Sequence, residues 1–426
     1  MKLHSLGVLV VTVVVFCEWH VFAFQSGQIL SALPQTSAQV QILQNLTTTY
    51  EVVLWKPVTA EFITKDREVH LFVNASDMTD VKAHLQDSRI QFRVLMEDVE
   101  ELIRQQTSND TDTARPRAPY SYYENYHSLS EIYSWMDFIT EQYPDVVEKL
   151  HIGSSYEKRP LYVLKISRKQ RAPKIAMWID CGIHAREWIS PAFCLWFTAH
   201  VTQFYGREHQ HTNILRHMSF YVMPVVNVDG YDYTWKKDRM WRKNRSAHGN
   251  SVCIGTDLNR NFASRHWCER GASNFSCSEV YCGPYPESEP EVRAVASFLR
   301  RNINHIKAYI AMHSYSQMIV FPYSYNRSKS KDHEELSLVA SEAVQAIKSV
   351  GKGTRYTYGS GSETLYLAPG GPDDWVYDLG IKYSFTIELR DTGEHGFLLP
   401  KRLIEPTCKE ALAAVSKIAW HVIRNV

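Results

Sequence analysis

No sign of charge dominates this chain: 47 lysines and arginines stand against 46 aspartates and glutamates, leaving +1 at neutral pH. That balance offers no basic footprint for nucleic acid and no polybasic segment for an anionic membrane, so neither is expected as a partner. Internal repeats and long low-complexity tracts are also missing. One extended apolar run stands out, LGVLVVTVVVF at 6–16, and Glu18 and His20 interrupt it before it could span a bilayer. With Lys2 before it and the small-residue end VFA at 21–23, it reads as a secretory signal peptide over 1–23. The remaining chain would begin at Phe24, outside the cell.

Cysteine is sparse, eight in 426 residues. Secretion makes disulfides plausible. With Cys17 in the leader the rest form an odd set, so at least one thiol stays free or bonds another molecule. Cys408, far from the others, is the candidate, and the sequence leaves the pairing of the other six open. Asn-x-Ser/Thr sequons at Asn45, Asn74, Asn109, Asn244, Asn274 and Asn326 are candidate glycosylation sites.

A hydrophobic content of 44% with 22% charged residues is ordinary for a folded protein, and the length suggests two or three domains. In the first unit VQILQNL and SDMTDVKAHLQDS read as helices, and YEVVLW, VHLFVN and FRVLM as strands, which predicts a small α+β domain. A polar stretch without periodicity, QQTSNDTDTARPRAPYSYY, follows as an exposed linker. A trypsin-like protease would cut it after Arg117, before Ala118, because Pro116 protects Arg115. The expected division is 1–23 signal peptide, 24–117 N-terminal segment and 118–426 main domain.

In the main domain, apolar runs (LYVLKI, KIAMWIDC, FYVMPVVN, KAYIAMHS, YSFTIEL) alternate with helical patterns. Alternation of this kind predicts an α/β fold with a mixed, mostly parallel sheet covered by helices. One helix should start at Ser128, with Glu131 completing a capping box. Ligands of such sheets bind beyond the C-terminal strand ends.

The run CGIHAREWISP, 181–191, puts His184 and Glu187 three residues apart just after a strand-like segment. An imidazole and a carboxylate so placed can share a metal, and a catalytic zinc takes three protein ligands with one open position. His313, closing KAYIAM, fits as the third ligand. Asp257, in GTDLNRN, could orient a ligand histidine through its second ring nitrogen.

HAREW, MWRKNR, GTDLNRNF, CGPYPESEPE, MHSYSQ and FTIELRDTGEHGF together resemble the zinc metallocarboxypeptidases of the pancreatic A/B type. The resemblance covers nearly the whole chain beyond the leader and makes 24–117 an activation propeptide that covers the cleft until cut. It implies the carboxypeptidase-like sheet with helices on both faces, and one zinc ion on His184, Glu187 and His313. It also implies Glu388 as general base and Arg242 beside the scissile carbonyl. Asn259 and Arg260 match the pair that holds the terminal carboxylate, Tyr366 the mobile tyrosine, and Arg186 and Tyr315 further substrate contacts. Asp373 falls at the base of the pocket for the last side chain, where a carboxylate suits Lys or Arg, and Gly361 leaves room for a long chain. Asp374 is taken as structural. The implied disulfides are Cys181–Cys194, Cys253–Cys277 and Cys268–Cys282. The implied partners are peptides and proteins ending in Lys or Arg. An A-type enzyme for apolar ends, a digestive B-type zymogen and an inactive binding module remain open at this point.

Overall fold

The computed structural model describes residues 26–108, 121–170, 172–249, 251–351 and 353–426. The expected leader, the sequon at Asn109 and the expected cut between Arg117 and Ala118 lie outside them. Among the described residues no helix is long and apolar enough to cross a membrane.

The first unit holds strands β1 (Gln28–Leu33), β2 (Val52–Lys56), β3 (Val69–Val73) and β4 (Gln91–Met96). They form an antiparallel sheet in the order β2-β3-β1-β4. Helices Ser37–Thr49 and Met78–Asp87 close a core that includes Leu30, Leu43, Val69, Leu71, Val81 and Leu85. Strand β1 and helix Val99–Thr107 were not expected from the sequence. Asp77 sits at the start of the second helix without capping it through its side chain. Its carboxylate instead accepts from the Glu51 amide at 2.7 Å.

The main unit is built on β5 (Val147–Ser154), β6 (Pro160–Ile166), β7 (Ile175–Cys181), β8 (Met218–Met223), β9 (Ile306–His313), β10 (Met318–Phe321), β11 (Thr357–Ser360) and β12 (Tyr383–Glu388). Their order is β11-β10-β12-β9-β7-β8-β6-β5. The central strands β12, β9, β7 and β8 run parallel, and antiparallel pairings lie toward the edges. Every residue of β12 is buried, as is all of β7 and β9 apart from Ile175 and Lys307. Alternate residues of a strand face opposite sides, so burial at both parities means that both faces of the sheet are covered. Helices Ile189–Gln203, His333–Val350 and Ile404–Asn425 pack together as one group, while Leu129–Gln142, Pro290–Arg301 and Pro372–Leu379 meet the sheet separately. The capping box of Ser128 and Glu131 is present at the first of that second set.

Strand register builds the site. His313 ends β9 directly opposite Glu388, which ends β12, and Cys181 ends β7 opposite Met312. The loop that follows β7 therefore leaves from the same sheet edge that carries His313 and Glu388. A separate apolar cluster joins the two units: Ile29, Trp55, Met96 and Val99 of the first pack with Met240, Tyr315, Phe397 and Leu398 of the second.

Candidate active site

His184, Glu187 and His313 converge with their ligand atoms all within 4.8 Å of one another, each residue buried. Glu187 Oε1 lies 2.7 Å from His184 Nδ1, and Oε2 lies 3.1 Å from His313 Nδ1. The two Nδ1 atoms face each other at 3.1 Å. Two imidazole nitrogens and a carboxylate aimed at one point fit a divalent cation, and an N, N, O set suits zinc. Burial and Arg242 push the His184 imidazole down, toward the neutral form that binds metal.

The other ring nitrogen of His184 lies 3.2 Å from Asp257 Oδ1. Oδ2 of the same carboxylate accepts from Arg242 Nη2 at 2.8 Å. Burial opposes ionisation of Asp257, yet Arg242 and His184 hold it well below the usual carboxylate range. Glu388 closes this centre at the end of β12. Burial pushes its carboxyl up to about 7, Glu187 adds to the rise, and His313, Arg242 and Lys56 oppose it. Arg390, two residues on, pairs with Glu410.

A second group lies beyond these candidate metal ligands. Arg260 is fully buried, with Nε donating to the Gly271 carbonyl and Nη1 to that of Asn259. Its Nη2 has no hydrogen-bond partner among the described residues. Asn259 donates its amide to Asp257 Oδ1 at 3.0 Å. The ring of Tyr366 lies 5.8 Å from the Arg260 guanidinium carbon.

Asp373 is 6% exposed, and no lysine or arginine lies within ion-pair distance among the described residues. Burial pushes its carboxyl up. Ser324 Oγ donates to Asp373 Oδ2 at 2.9 Å. A β-carbon on Gly361 would meet that same Oγ at 2.0 Å, so any larger residue there would force Ser324 to shift. A β-carbon on Gly371 would meet Asp373 Oδ1 at 2.6 Å and Asn259 Oδ1 at 3.2 Å, so a larger residue there would displace the Asp373 carboxylate. Asp374 differs from Asp373 in accepting backbone N–H groups from Ser324 and Tyr325. Neither aspartate caps its own helix. Ser324 escaped the sequence reading, since nothing in PYSYNRS marks one serine as facing an aspartate far downstream.

The first unit sits on the remaining predicted site residues. Arg186, fully buried, directs Nη2 to the Leu54 carbonyl at 3.5 Å, and its guanidinium covers the Phe397 ring at 4.4 Å. The Tyr315 hydroxyl meets His70 Nδ1 at 3.1 Å. Phe62 stacks on Tyr366 with ring centroids 5.4 Å apart.

Among the described residues the disulfides are Cys181–Cys194, Cys253–Cys277 and Cys268–Cys282, with Cys408 buried and free. One glycosylation candidate is corrected. Asn244 is fully buried, and its Nδ2 donates to Glu289 at 2.7 Å and Glu291 at 3.3 Å, so the folded chain has no room for a sugar there. Asn45 and Asn274 are exposed, and Asn74 and Asn326 partly so.

Residues 132–414 match the zinc carboxypeptidase family, and residues 30–106 match the carboxypeptidase activation peptide. The chain is 75% identical to carboxypeptidase B2 of Rattus norvegicus over 425 residues and 75% identical to carboxypeptidase B2 of Homo sapiens over 426 residues, with 100% of each chain covered. A crystal structure of thrombin activatable fibrinolysis inhibitor superposes with a TM-score of 0.92 at 74% identity, covering 95% of this chain and 100% of that one. The chain belongs to the zinc carboxypeptidase family, as a B-type member that carries its activation peptide.

Proposed function

We propose that the chain is a secreted zymogen which, once cut after Arg117, removes C-terminal lysine or arginine from peptides and proteins. The observation that carries this reading is a pair of incompletely matched buried groups of opposite sign. Among the described residues, Arg260 keeps a guanidinium nitrogen without a hydrogen-bond partner, and buried Asp373 has no lysine or arginine within ion-pair distance. A chain ending in lysine or arginine supplies both missing charges, an α-carboxylate and a terminal cation. An apolar C-terminal residue would satisfy Arg260 and leave Asp373 unmatched, which argues against an A-type preference.

The chemistry follows from the same side chains. His184, Glu187 and His313 would hold the zinc, which when bound supplies a Lewis acid and lowers the pKa of water. Glu388 would take a proton from the attacking water and hand it to the leaving amine, a role helped by a carboxyl raised toward neutrality. Arg242, fixed by Asp257, offers its guanidinium to the developing oxyanion. Arg260 and Asn259 would clamp the chain end, and Tyr366 would close over it once Phe62 leaves. Arg186 and Tyr315 would then exchange Leu54 and His70 for substrate.

Thrombin activatable fibrinolysis inhibitor, by its name, limits fibrinolysis, and the likeness to it supports plasma as the location and partially degraded fibrin as a substrate. The test is proteolytic activation followed by assays on Arg-ended and Phe-ended peptides, with and without a chelator. Preference for Phe would overturn the specificity. Lysis of fibrin clots in the presence of the activated enzyme should slow, and unchanged lysis would remove fibrin from the reading.

A further inference from the structure

Arg242 has a second anchor that the reaction as described leaves unexplained. Its Nε donates to the Glu279 carbonyl at 3.3 Å, and the next residue, Lys243, buried, donates Nζ to the Ser276 carbonyl at 2.7 Å. Both acceptors belong to one loop, and Cys277 lies between them. Cys277 bonds to Cys253. Cys253 in turn stands on the returning arm of the hairpin that starts at Arg242 and ends at Asp257. That hairpin is laced by Asn244 N to Thr256 O at 3.1 Å, by Gly255 N to Ser246 O at 2.8 Å and by a bridge between Ala247 and Ile254. Ser251 Oγ and Ser276 Oγ meet at 2.8 Å beside the bond. The disulfide thus ties the loop that holds the Arg242 guanidinium to the hairpin that carries it.

The two cysteines of this bond lie at the surface. Cys277 is exposed and Cys253 partly exposed, and the flanking Val252 and Phe275 are 94% and 64% exposed. By contrast Cys181, Cys194 and Cys282 are fully buried, so each of the other two disulfides has at least one shielded sulfur. Access decides which disulfide a thiolate can attack.

We propose that Cys253–Cys277 is a reducible tether that positions Arg242, so that a dithiol reductant lowers turnover by opening it. A thiolate of the dithiol attacks Sγ of Cys277, the S–S bond breaks, and Cys253 leaves as a thiolate and takes a proton. The second thiol of the reductant, deprotonated, then attacks the mixed disulfide, releasing Cys277 as a thiol. Two electrons pass to the cystine, and the dithiol closes to its own disulfide. The loop carbonyls of Ser276 and Glu279 then lose their fixed distance to Lys243 and Arg242. A displaced oxyanion donor weakens the transition state and leaves ground-state binding nearly intact. This inference rests on the role proposed for Arg242.

The test uses the activated enzyme and a peptide ending in arginine. One arm treats folded enzyme briefly with dithiothreitol, blocks thiols with iodoacetamide, removes the reductant, and maps the labelled cysteines by mass spectrometry. A second arm is Cys253→Ser with Cys277→Ser, and both are repeated in Arg242→Ala. Expected are labelling of Cys253 and Cys277 first, a fall in kcat of about tenfold or more with KM almost unchanged, and unaltered zinc content. In Arg242→Ala, opening the bond should change kcat by less than about twofold, because the interaction it supports is already gone. Should the serine variant fail to fold, the reduced and alkylated native enzyme carries the same readout. An unchanged kcat, an equal loss in Arg242→Ala, or earlier labelling of Cys268 would each overturn the tether. Undiminished kcat in Arg242→Ala alone would overturn the role of Arg242, and the inference with it.

Discussion

His184 Nε2 lies 3.2 Å from Asp257 Oδ1, while the other oxygen of that carboxylate accepts from Arg242 at 2.8 Å. One buried side chain thus fixes the ring of a proposed metal ligand and the guanidinium of the proposed oxyanion donor. Asp257→Asn should lower zinc affinity about 10- to 100-fold, the usual effect of losing such a partner. It should also depress kcat in zinc-saturated enzyme, since the ion pair to Arg242 is weakened. Chelator competition reads the first effect and steady-state kinetics at saturating zinc the second. Unaltered zinc affinity would show that the contact does not support the metal.

Trp55 predicts how firmly the activation peptide is seated. It is 4% exposed, and its ring lies 5.1 Å from Phe397 and 6.4 Å from Tyr315. Truncating a buried tryptophan typically costs about 3–5 kcal/mol. Trp55→Ala should therefore lower the unfolding midpoint of the uncut chain and raise its activity on peptides, because Arg186 and Tyr315 are released together. The cut enzyme, freed of this segment, should be unaffected. Equal activity of the uncut variant and the uncut parent chain would refute the seat.

The pH dependence of stability has an identifiable contributor in Glu335. Hydrogen bonds from Lys382 and Tyr383 pull its carboxyl down to about 2. A carboxylate with a depressed folded pKa stabilises above its unfolded value near 4.5 and loses that contribution as pH falls toward 2. Glu335→Gln should accordingly be destabilising at pH 7, with the difference from the parent shrinking progressively from about pH 5 down to about pH 2. The side chain is 34% exposed, so solvent screening keeps the effect to about 1 kcal/mol or less. Denaturant unfolding at several pH values measures it, and a gap that widened in acid would contradict the sign.

What the sequence made legible were features written locally. The central strands appear as apolar runs because they are buried on both faces, and His313 and Glu388 stand out because each closes such a run. Helix Ile189–Gln203 was not legible, because it is buried on nearly every side and has no polar face to mark a period of 3.6 residues. Strands β10 and β11, four residues each, are too short for alternation to register. Contacts through backbone carbonyls, such as Leu54 to Arg186 or Glu279 to Arg242, leave no trace in residue type. The sequon at Asn244 misled because a tripeptide says nothing of burial, and Glu289 and Glu291 enclose that side chain.

Ser324 and Asp373 together predict how basic ends are distinguished. The serine hydroxyl donates to Asp373 Oδ2 at 2.9 Å and occupies the space that Gly361 leaves free. Oδ2 is thereby partly satisfied, while Oδ1 accepts no side-chain hydrogen bond among the described residues. A lysine ammonium needs a single oxygen, but an arginine guanidinium binds best to both. Ser324→Gly should therefore raise kcat/KM for arginine ends relative to lysine ends by about tenfold, the worth of one hydrogen bond to a charged group. Asp373→Leu should act on both, lowering kcat/KM for basic ends by about 100- to 1000-fold, because a buried cation loses its counter-ion. Phe-ended peptides should gain in the same variant. Parallel assays on peptides ending in Arg, Lys and Phe separate the two effects, and an unchanged Arg-to-Lys ratio in Ser324→Gly would mean that the hydroxyl yields to either substrate without cost.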